Sequence, residues 1–344
     1  MIDIDGSLGE GGGQILRTSL ALSCLYRKPF RIANIRKNRK KPGLQPQHLT
    51  GVRAAQTISR ATVSGDHPGS TELSFFPGEV KPGAYSFDVG TAGSCLLVLQ
   101  ALLPPLLFSG ARSDVTLLGG THVPFSPSYQ YVAGVFLPAL SKLGLTVHLS
   151  IDSYGFYPRG GGKIRAEILP AGRVLPWNVP ERGPLRGIAG CSAVGRLPAS
   201  IAERQRKAAM DTIRSAVGDA APGMRIDLLD APTPGRGTFL FLRADSGNCS
   251  AGFTSLGAIG KRAEEVGEEA ARLFFDYYAA DAALDPHLPD QIVPYLSLSE
   301  ERSVFTTSRI TEHLRTNLWV MGLFRAFPHD VEGDTGKPGR VTVN

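Results

Sequence analysis

The stretch Thr307-Ser-Arg-Ile-Thr-Glu-His-Leu-Arg-Thr-Asn-Leu-Trp-Val-Met321 carries the residues best suited to chemistry at phosphorus. Ile310, Leu314, Leu318 and Met321 recur at helical spacing, and Thr311 stands where an N-cap belongs. The spacing predicts a helix with His313 in its first turn and Arg315 and Asn317 close by. At a helix amino end the free N–H groups and the dipole favour negative charge, phosphate included. A neutral imidazole there can attack a phosphorus centre. The purely structural alternative is a histidine that caps a helix or is hydrogen-bonded in a core.

Near the start, residues 2–5 read as a strand, Gly6-Ser-Leu-Gly-Glu-Gly-Gly-Gly13 as a loop and residues 14–25 as a helix. Strand, glycine loop and helix bring backbone N–H groups toward phosphates. No Gly-Lys-Ser/Thr closes the loop, so it is not a Walker A sequence, and a simple tight turn stands as the alternative. Glu10 sharpens the reading, because a carboxylate there repels phosphate unless a divalent cation, Mg or Mn, lies between them. Arg36-Lys-Asn-Arg-Lys-Lys41 follows a strand and precedes a helix that begins at Gln47-His48. That placement points to phosphate contact, with a solvated basic face as the alternative.

These residues need a frame. The chain of 344 residues is 42% hydrophobic and 20% charged, with a net charge of +6 that favours an anionic partner. Cys24, Cys95, Cys191 and Cys249 are scattered among small or apolar neighbours and read as buried free thiols. No histidine pair has metal-ligand spacing, which argues against structural zinc. His122 follows Gly119-Gly120 in a loop that could face a cleft. No basic-then-apolar leader opens the sequence, and the apolar run 96–108 is too short to span a bilayer and contains Pro104-Pro105. The expectation is a cytoplasmic protein, or a nuclear one in a eukaryote, with no membrane partner.

The order of elements repeats. Strands at 2–5, 29–35, 61–65 and 71–76 flank helices at 14–25 and 47–59. Strands at 85–89, 115–118, 145–151 and 163–169 flank helices at 95–107 and 128–142. A partial third copy runs from a helix at 288–298 through strands at 303–307, 328–332 and 340–343, with the His313 helix at 311–324. Each copy opens on a helix bearing a glutamine: Gln14, Gln100 and Gln291. Residues 170–184 read as a connection, and 185–280 as a smaller α+β domain inserted into a large domain of residues 1–184 plus 281–344. The fold class is α/β (α+β), built on three β-α-β-α-β-β-like repeats. Arg204, Arg206 and Lys207 on the insertion's first helix read as a solvated face.

One further segment, Ser153-Tyr-Gly-Phe-Tyr-Pro-Arg-Gly-Gly-Gly-Lys-Ile164, sits between two strands. With Gly9-Glu-Gly-Gly-Gly-Gln-Ile-Leu-Arg17, Lys41-Pro-Gly-Leu44, Gln47-His-Leu-Thr50, Ala92-Gly-Ser-Cys-Leu-Leu-Val-Leu-Gln100, Asp290-Gln291 and His313-Leu-Arg-Thr-Asn317, it resembles the RNA 3′-terminal phosphate cyclase family nearly end to end. Tyr154 departs from the basic residue usual in that signature and leaves the glycine and proline spacing intact. The resemblance implies the same three-repeat fold with its insertion, and an ATP-dependent, ligase-like enzyme that converts an RNA 3′-phosphate to a 2′,3′-cyclic phosphate. It implies that His313 becomes a histidine-AMP phosphoramidate, that AMP passes to the RNA phosphate, and that the neighbouring 2′-hydroxyl displaces it. It further implies ATP contacts at Gln100, His287, Leu288, Pro289, Asp290 and Gln291, a divalent ion at Glu10, and RNA-phosphate contacts at Arg17, Arg36, Arg39 and His48. Two rivals stand beside it: a non-catalytic RNA-binding ribosome-assembly relative, and an enolpyruvyl-type transferase. Neither needs a histidine nucleophile.

Overall fold

The computed structural model describes residues 1–217 and 223–344. In the first unit, β1 (Ile2–Asp5) and β2 (Phe30–Ala33) run parallel through the crossover helix α1 (Gly13–Tyr26). Helix α2 (Pro46–Ser59) leads on to β3 (Thr62–Ser64) and β4 (Leu73–Phe76), and β4 returns between β2 and β3. Strand alternation decides the inward face: Phe30 and Ile32 are buried, while Arg31 between them is exposed and pairs with Glu72.

The second unit has the same connectivity. It consists of β5 (Ala84–Asp88), α3 (Cys95–Leu107), β6 (Ser113–Gly119), α4 (Tyr129–Tyr131), α5 (Leu137–Lys142), β7 (Val147–Ser153) and β8 (Gly162–Ile168), with sheet order β5-β6-β8-β7. Every residue of α3 is buried except Leu97 and Gln100, so its all-round apolar sequence belongs to a helix packed between others. The sequence predicts one helix over 128–142. The structure instead passes from α4 to α5 through a π-helical turn, Val132–Phe136. Pro138 supplies a reason, since it has no N–H with which to continue the regular ladder.

The third sheet contains a strand that the sequence reading missed. β9 (Asn178–Val179) lies inside the stretch 170–184 read only as a connection, and it pairs in parallel with a strand from the far end of the chain. Two residues before Pro180 are too few to show alternation. Between β9 and the rest of its sheet come β10 (Leu185–Gly195), α6 (Ala199–Val217), β11 (Arg225–Asp230), β12 (Gly237–Ser246), β13 (Ser250–Leu256) and α7 (Ala263–Ala279). These make a separate sheet, β11-β10-β12-β13, covered by α6 and α7 with an apolar cluster of its own around Ile188, Leu242, Ala270 and Phe274. Then follow α8 (Leu288–Leu296), β14 (Ser303–Thr307), α9 (Glu312–Phe324), β15 (His329–Glu332) and β16 (Gly339–Val343). The third sheet, β15-β16-β14-β9, thereby has the strand order of the first two.

Helices of all three units pack together in one continuous core: α1 lies against α2, α3 and α9, and α8 against α9. The chain's two crossings into the 185–279 unit are clasped by Arg182, which donates to Asp281 Oδ1 (3.2 Å) and to the Tyr278 carbonyl (3.1 Å). A buried carboxylate, Asp285, ties three parts together. It accepts from the Tyr131 hydroxyl (2.9 Å), from Gly252 N in β13 (3.3 Å), and from His287 N and Leu288 N at the start of α8 (2.8 and 3.1 Å). Burial pushes its carboxyl up.

His122 does not face a cleft. It is 2% exposed and stacks on Phe239 with ring centroids 4.1 Å apart, in a cluster with Tyr154 and Phe156 that joins the second unit to β12. Burial pushes its pKa down to about 3 from 6.5. Such a group binds a proton in the unfolded chain before it does in the folded one, so its share of stability is complete above pH 6.5 and is lost as pH falls toward the folded value. The His122→Phe variant is expected to flatten the fall in unfolding free energy between pH 6.5 and 4 by up to roughly 1.4 kcal/mol per pH unit. Denaturant melts of parent and variant across that range check it; parallel curves would contradict it.

Candidate active site

The glycine loop before α1 is defined by what presses on it. A Cβ at Gly9 would lie 2.2 Å from Thr316 Oγ1 of α9, one at Gly11 2.8 Å from Asn38 Nδ2, and one at Gly13 2.2 Å from His48 Nε2 of α2. Gly9 and Gly11 also have φ of +55° and +60°, a region that disfavours side chains. Three elements thus converge on a backbone with no side chains in the way. Within the loop only Glu10 projects a charged group, and Arg39 donates to one of its carboxylate oxygens.

Thr311 caps α9 as its sequence predicts, accepting from Leu314 N at 3.1 Å. This sets His313 in the first turn, its side chain 46% exposed. Gln14, at the start of α1, fixes the ring. Its Nε2 donates to Asp290 Oδ2 (3.2 Å) and to the His313 carbonyl (3.1 Å), and the carbonyl can only accept. Its Oε1 therefore faces His313 Nδ1, at 2.6 Å, and accepts a hydrogen bond from the Nδ1–H. With the proton on Nδ1, the lone pair of the neutral ring is on Nε2, which lies 3.3 Å from a Glu10 carboxylate oxygen, a contact that by itself favours a proton on Nε2. Partial burial, then the positive charges of Arg17, His287 and Arg39, push the imidazole down to about 4. The ring is neutral at pH 7.

Beside this pair a cavity of about 40 Å³ opens between α1, α3, α8 and α9. Its lining includes Gln14, Arg17, Gln100, Asp290, Gln291 and Asn317. Gln100 Nε2 donates to Gln291 Oε1 (2.9 Å), so the glutamines of the second and third units meet here. Asn317 donates to the Asp290 carbonyl and accepts from Thr18, each at 2.5 Å. Burial raises the Asp290 carboxyl to about 7 against the opposing pull of Arg17, while burial lowers Arg17 to about 10. Arg17 has no hydrogen-bond partner among the described residues, and it also lines a second cavity with Gly13, Gln47 and His48. A desolvated guanidinium of this kind suits an anion.

The remaining sequence-derived candidates divide. His287 is exposed at the start of α8, next to a helix end capped by Asp285, whereas Leu288 and Pro289 are buried. His48 sits beside Gly13, with Nδ1 accepting from Gln45 N at 3.3 Å; burial, then Arg36 and Arg17, push its pKa down to about 3. Arg36 spends part of its guanidinium on its own loop, donating to the carbonyls of Lys41 (2.6 Å) and Gly43 (3.1 Å). Sequence reasoning did not single out Gln14 as a site residue or Thr316 as a loop contact. The shared glutamine of the three helices was the available signal for the first. Among the described residues no three His, Cys, Asp or Glu side chains converge on a metal. A divalent cation at Glu10 would have one protein carboxylate and would take phosphate oxygens and water for the rest, a donor set that fits magnesium.

A family profile described as RNA 3′-terminal phosphate cyclase matches residues 8–329. An RNA 3′-terminal phosphate cyclase of Caldivirga maquilingensis is 48% identical over 330 residues, covering 94% of this chain and 92% of the relative. Proteins of the same name from Thermococcus kodakarensis (43% identical; 99% and 98% covered) and Methylococcus capsulatus (43%; 94% and 91%) are similar throughout. Among solved structures, the enolpyruvyl transferase NikO from Streptomyces tendae aligns at only 11% identity and a TM-score of 0.27, covering 99% of this chain and 65% of that one.

If the glycine loop is held by side chains pressing on bare backbone, Gly13→Ala should destabilise the protein by roughly 1–3 kcal/mol. The added His48→Ala should recover most of that loss. A double-mutant cycle measured by urea unfolding checks the coupling, and additive losses would refute the packing account.

Proposed function

The chain belongs to the RNA 3′-terminal phosphate cyclase family, and we propose that it is an ATP-dependent enzyme that cyclises RNA 3′-phosphate ends with His313 as its nucleophile. The observation that carries this reading is the neutral imidazole whose Nδ1 proton is committed to Gln14 and whose Nε2 lone pair faces the loop at Glu10. A member of the fold that only bound RNA would have no use for a histidine prepared in this way.

In this reading Nε2 attacks the α-phosphorus of ATP, the Nε2–P bond forms, and the bond to pyrophosphate breaks. Positive charge develops on the ring, and the Nδ1–H bond to Gln14 Oε1 strengthens as it does. An oxygen of the RNA 3′-phosphate then displaces the neutral imidazole from the adenylyl phosphorus. The RNA 2′-hydroxyl attacks its neighbouring phosphorus and gives up its proton, and AMP leaves as the cyclic phosphate closes. A divalent ion at Glu10, when bound, would neutralise the triphosphate. Gln100, Asp290 and Gln291 line the cavity beside Gln14, and in this reading they contact the nucleotide at its mouth. Arg17, with no hydrogen-bond partner among the described residues, is suited to orient a phosphate between the two cavities.

Incubation with α-labelled ATP and a divalent cation should leave acid-labile AMP on the parent protein and none on His313→Ala, with the thermal transition unchanged. Glu10→Ala should raise the metal concentration needed for half-maximal labelling. An AMP adduct of equal yield on the alanine variant would overturn the assignment of the nucleophile.

A further inference from the structure

The glycine-rich segment 154–162 carries no residue of the site described above, and the structure gives it another position. It docks on one end of the sheet β11-β10-β12-β13. Tyr154 N donates to the Pro232 carbonyl at 2.7 Å, a Cβ at Gly161 would lie 2.4 Å from Pro234, and one at Gly237 would lie 2.1 Å from the Phe156 ring. The stem of Arg159 runs along Gly235, whose Cβ would lie 3.2 Å from that of Arg159. Gly195 at the end of β10 pairs with Gly237 at the start of β12. The residues just beyond this pair, Arg196 and Arg236, therefore emerge side by side next to Arg159.

All three arginines are exposed and make no ion pair among the described residues. Elsewhere in the same unit Arg204, Arg225, Arg243 and Arg262 are each matched to a carboxylate, whereas Arg186, Arg206 and Arg272 make no ion pair among the described residues. One exposed acid, Asp230, ends the neighbouring strand, so the cluster keeps an excess of positive charge. Two exposed aromatic side chains lie on the same segment and on the loop bonded to it. Tyr157 in the segment is 69% exposed. Phe125 is fully exposed on a backbone with φ of +62°, in a loop that the bonds of Thr121 N and His122 N to the Gly155 carbonyl hold alongside. An unburied aromatic in a strained conformation has no packing reason to persist.

Interior contacts connect this segment to the candidate active site. A Cβ at Gly160 would lie 2.7 Å from the Thr91 carbonyl. Gln47 Oε1 accepts from Ser94 N at 2.7 Å, and the next residue, His48, presses on Gly13.

We propose that Arg159, Arg196 and Arg236, with Tyr157 and Phe125, hold the single-stranded body of the RNA on the 5′ side of the reacting end. Unpaired guanidinium groups meet the backbone phosphates, and the free rings stack on bases without regard to sequence. The identity of the polymer rests on the function proposed above. The test uses 3′-phosphorylated RNA from a dinucleotide to a ten-nucleotide single strand, on the parent and on an Arg159→Gln/Arg196→Gln/Arg236→Gln variant. The parent should bind the long strand more tightly than the dinucleotide. The variant should lose on the order of tenfold or more for the long strand, reduce the salt slope of its binding by about two, and keep the parent's affinity for the dinucleotide. Tyr157→Ala should weaken the long strand alone. Self-labelling by α-labelled ATP should match the parent in both variants, so a parent that failed to label would refute the function and leave the length comparison readable. Equal losses for both lengths, or no loss for either, would overturn the proposal.

Discussion

The orientation of one side-chain amide decides the chemistry available here. Gln14 has an N–H₂ end that meets a carboxylate and a carbonyl, and so its oxygen has to face the imidazole. Everything that holds α1 against α9 supports that arrangement. Thr18 bonds Asn317 one turn further along, and Lys28 reaches from beyond the end of α1 to the Phe324 carbonyl at 2.6 Å, placing positive charge at the carboxyl end of α9. Inside this pairing the ring is partly buried among positive charges, which keeps it uncharged. A nucleophile and a site for anions would otherwise conflict, because a histidine surrounded by phosphates tends to take up a proton. Burial first, and then Arg17 and Arg39, act against that, and the two arginines also attract an anion.

The repeated connectivity explains how residues so far apart in sequence share one small space. Each unit places a helix after its first strand, and α1, α3 and α8 bring Gln14, Gln100 and Gln291 to a common centre. The 185–279 unit interrupts the third sheet between its first and second strands, which is why β9 has to pair with β14 across the whole insertion. Asp285 then fixes the amino end of α8 to both the second unit and β13. The three glutamines are thus positioned by backbone pairing and buried hydrogen bonds, while Glu10, Arg36 and Arg39 stand on loops.

Much of this was legible from residue types. The N-cap at Thr311, the helix α3 and the helix-bearing order of the first two units followed from apolar spacing and capping chemistry. The fold class was equally readable from the alternation of strand and helix. What escaped the sequence were features set by partners far along the chain. β9 has two residues and exists because β14 pairs with it; His122 is buried because Phe239 of another unit covers it; the turn at 132–136 reflects Pro138 within an apolar helix. The glycines at 9–13 announced a close approach but not what approaches, and Thr316, Asn38 and His48 supply that answer. Gln14 was visible as a repeated feature, yet its bond to His313 depends on the packing of α1 against α9.

The central claim is that Gln14 holds His313 as the neutral tautomer protonated on Nδ1. The direct measurement is a nitrogen-15 and proton correlation spectrum of histidine-labelled protein, with His313 assigned by its loss in His313→Ala, followed as the pH is lowered. The account predicts an Nδ1–H tautomer with unprotonated Nε2, a titration midpoint well below the ordinary 6.5, and loss of the tautomer preference in Gln14→Ala. A ring protonated on Nε2 at neutral pH, or a midpoint at 6.5 in the parent, would contradict it.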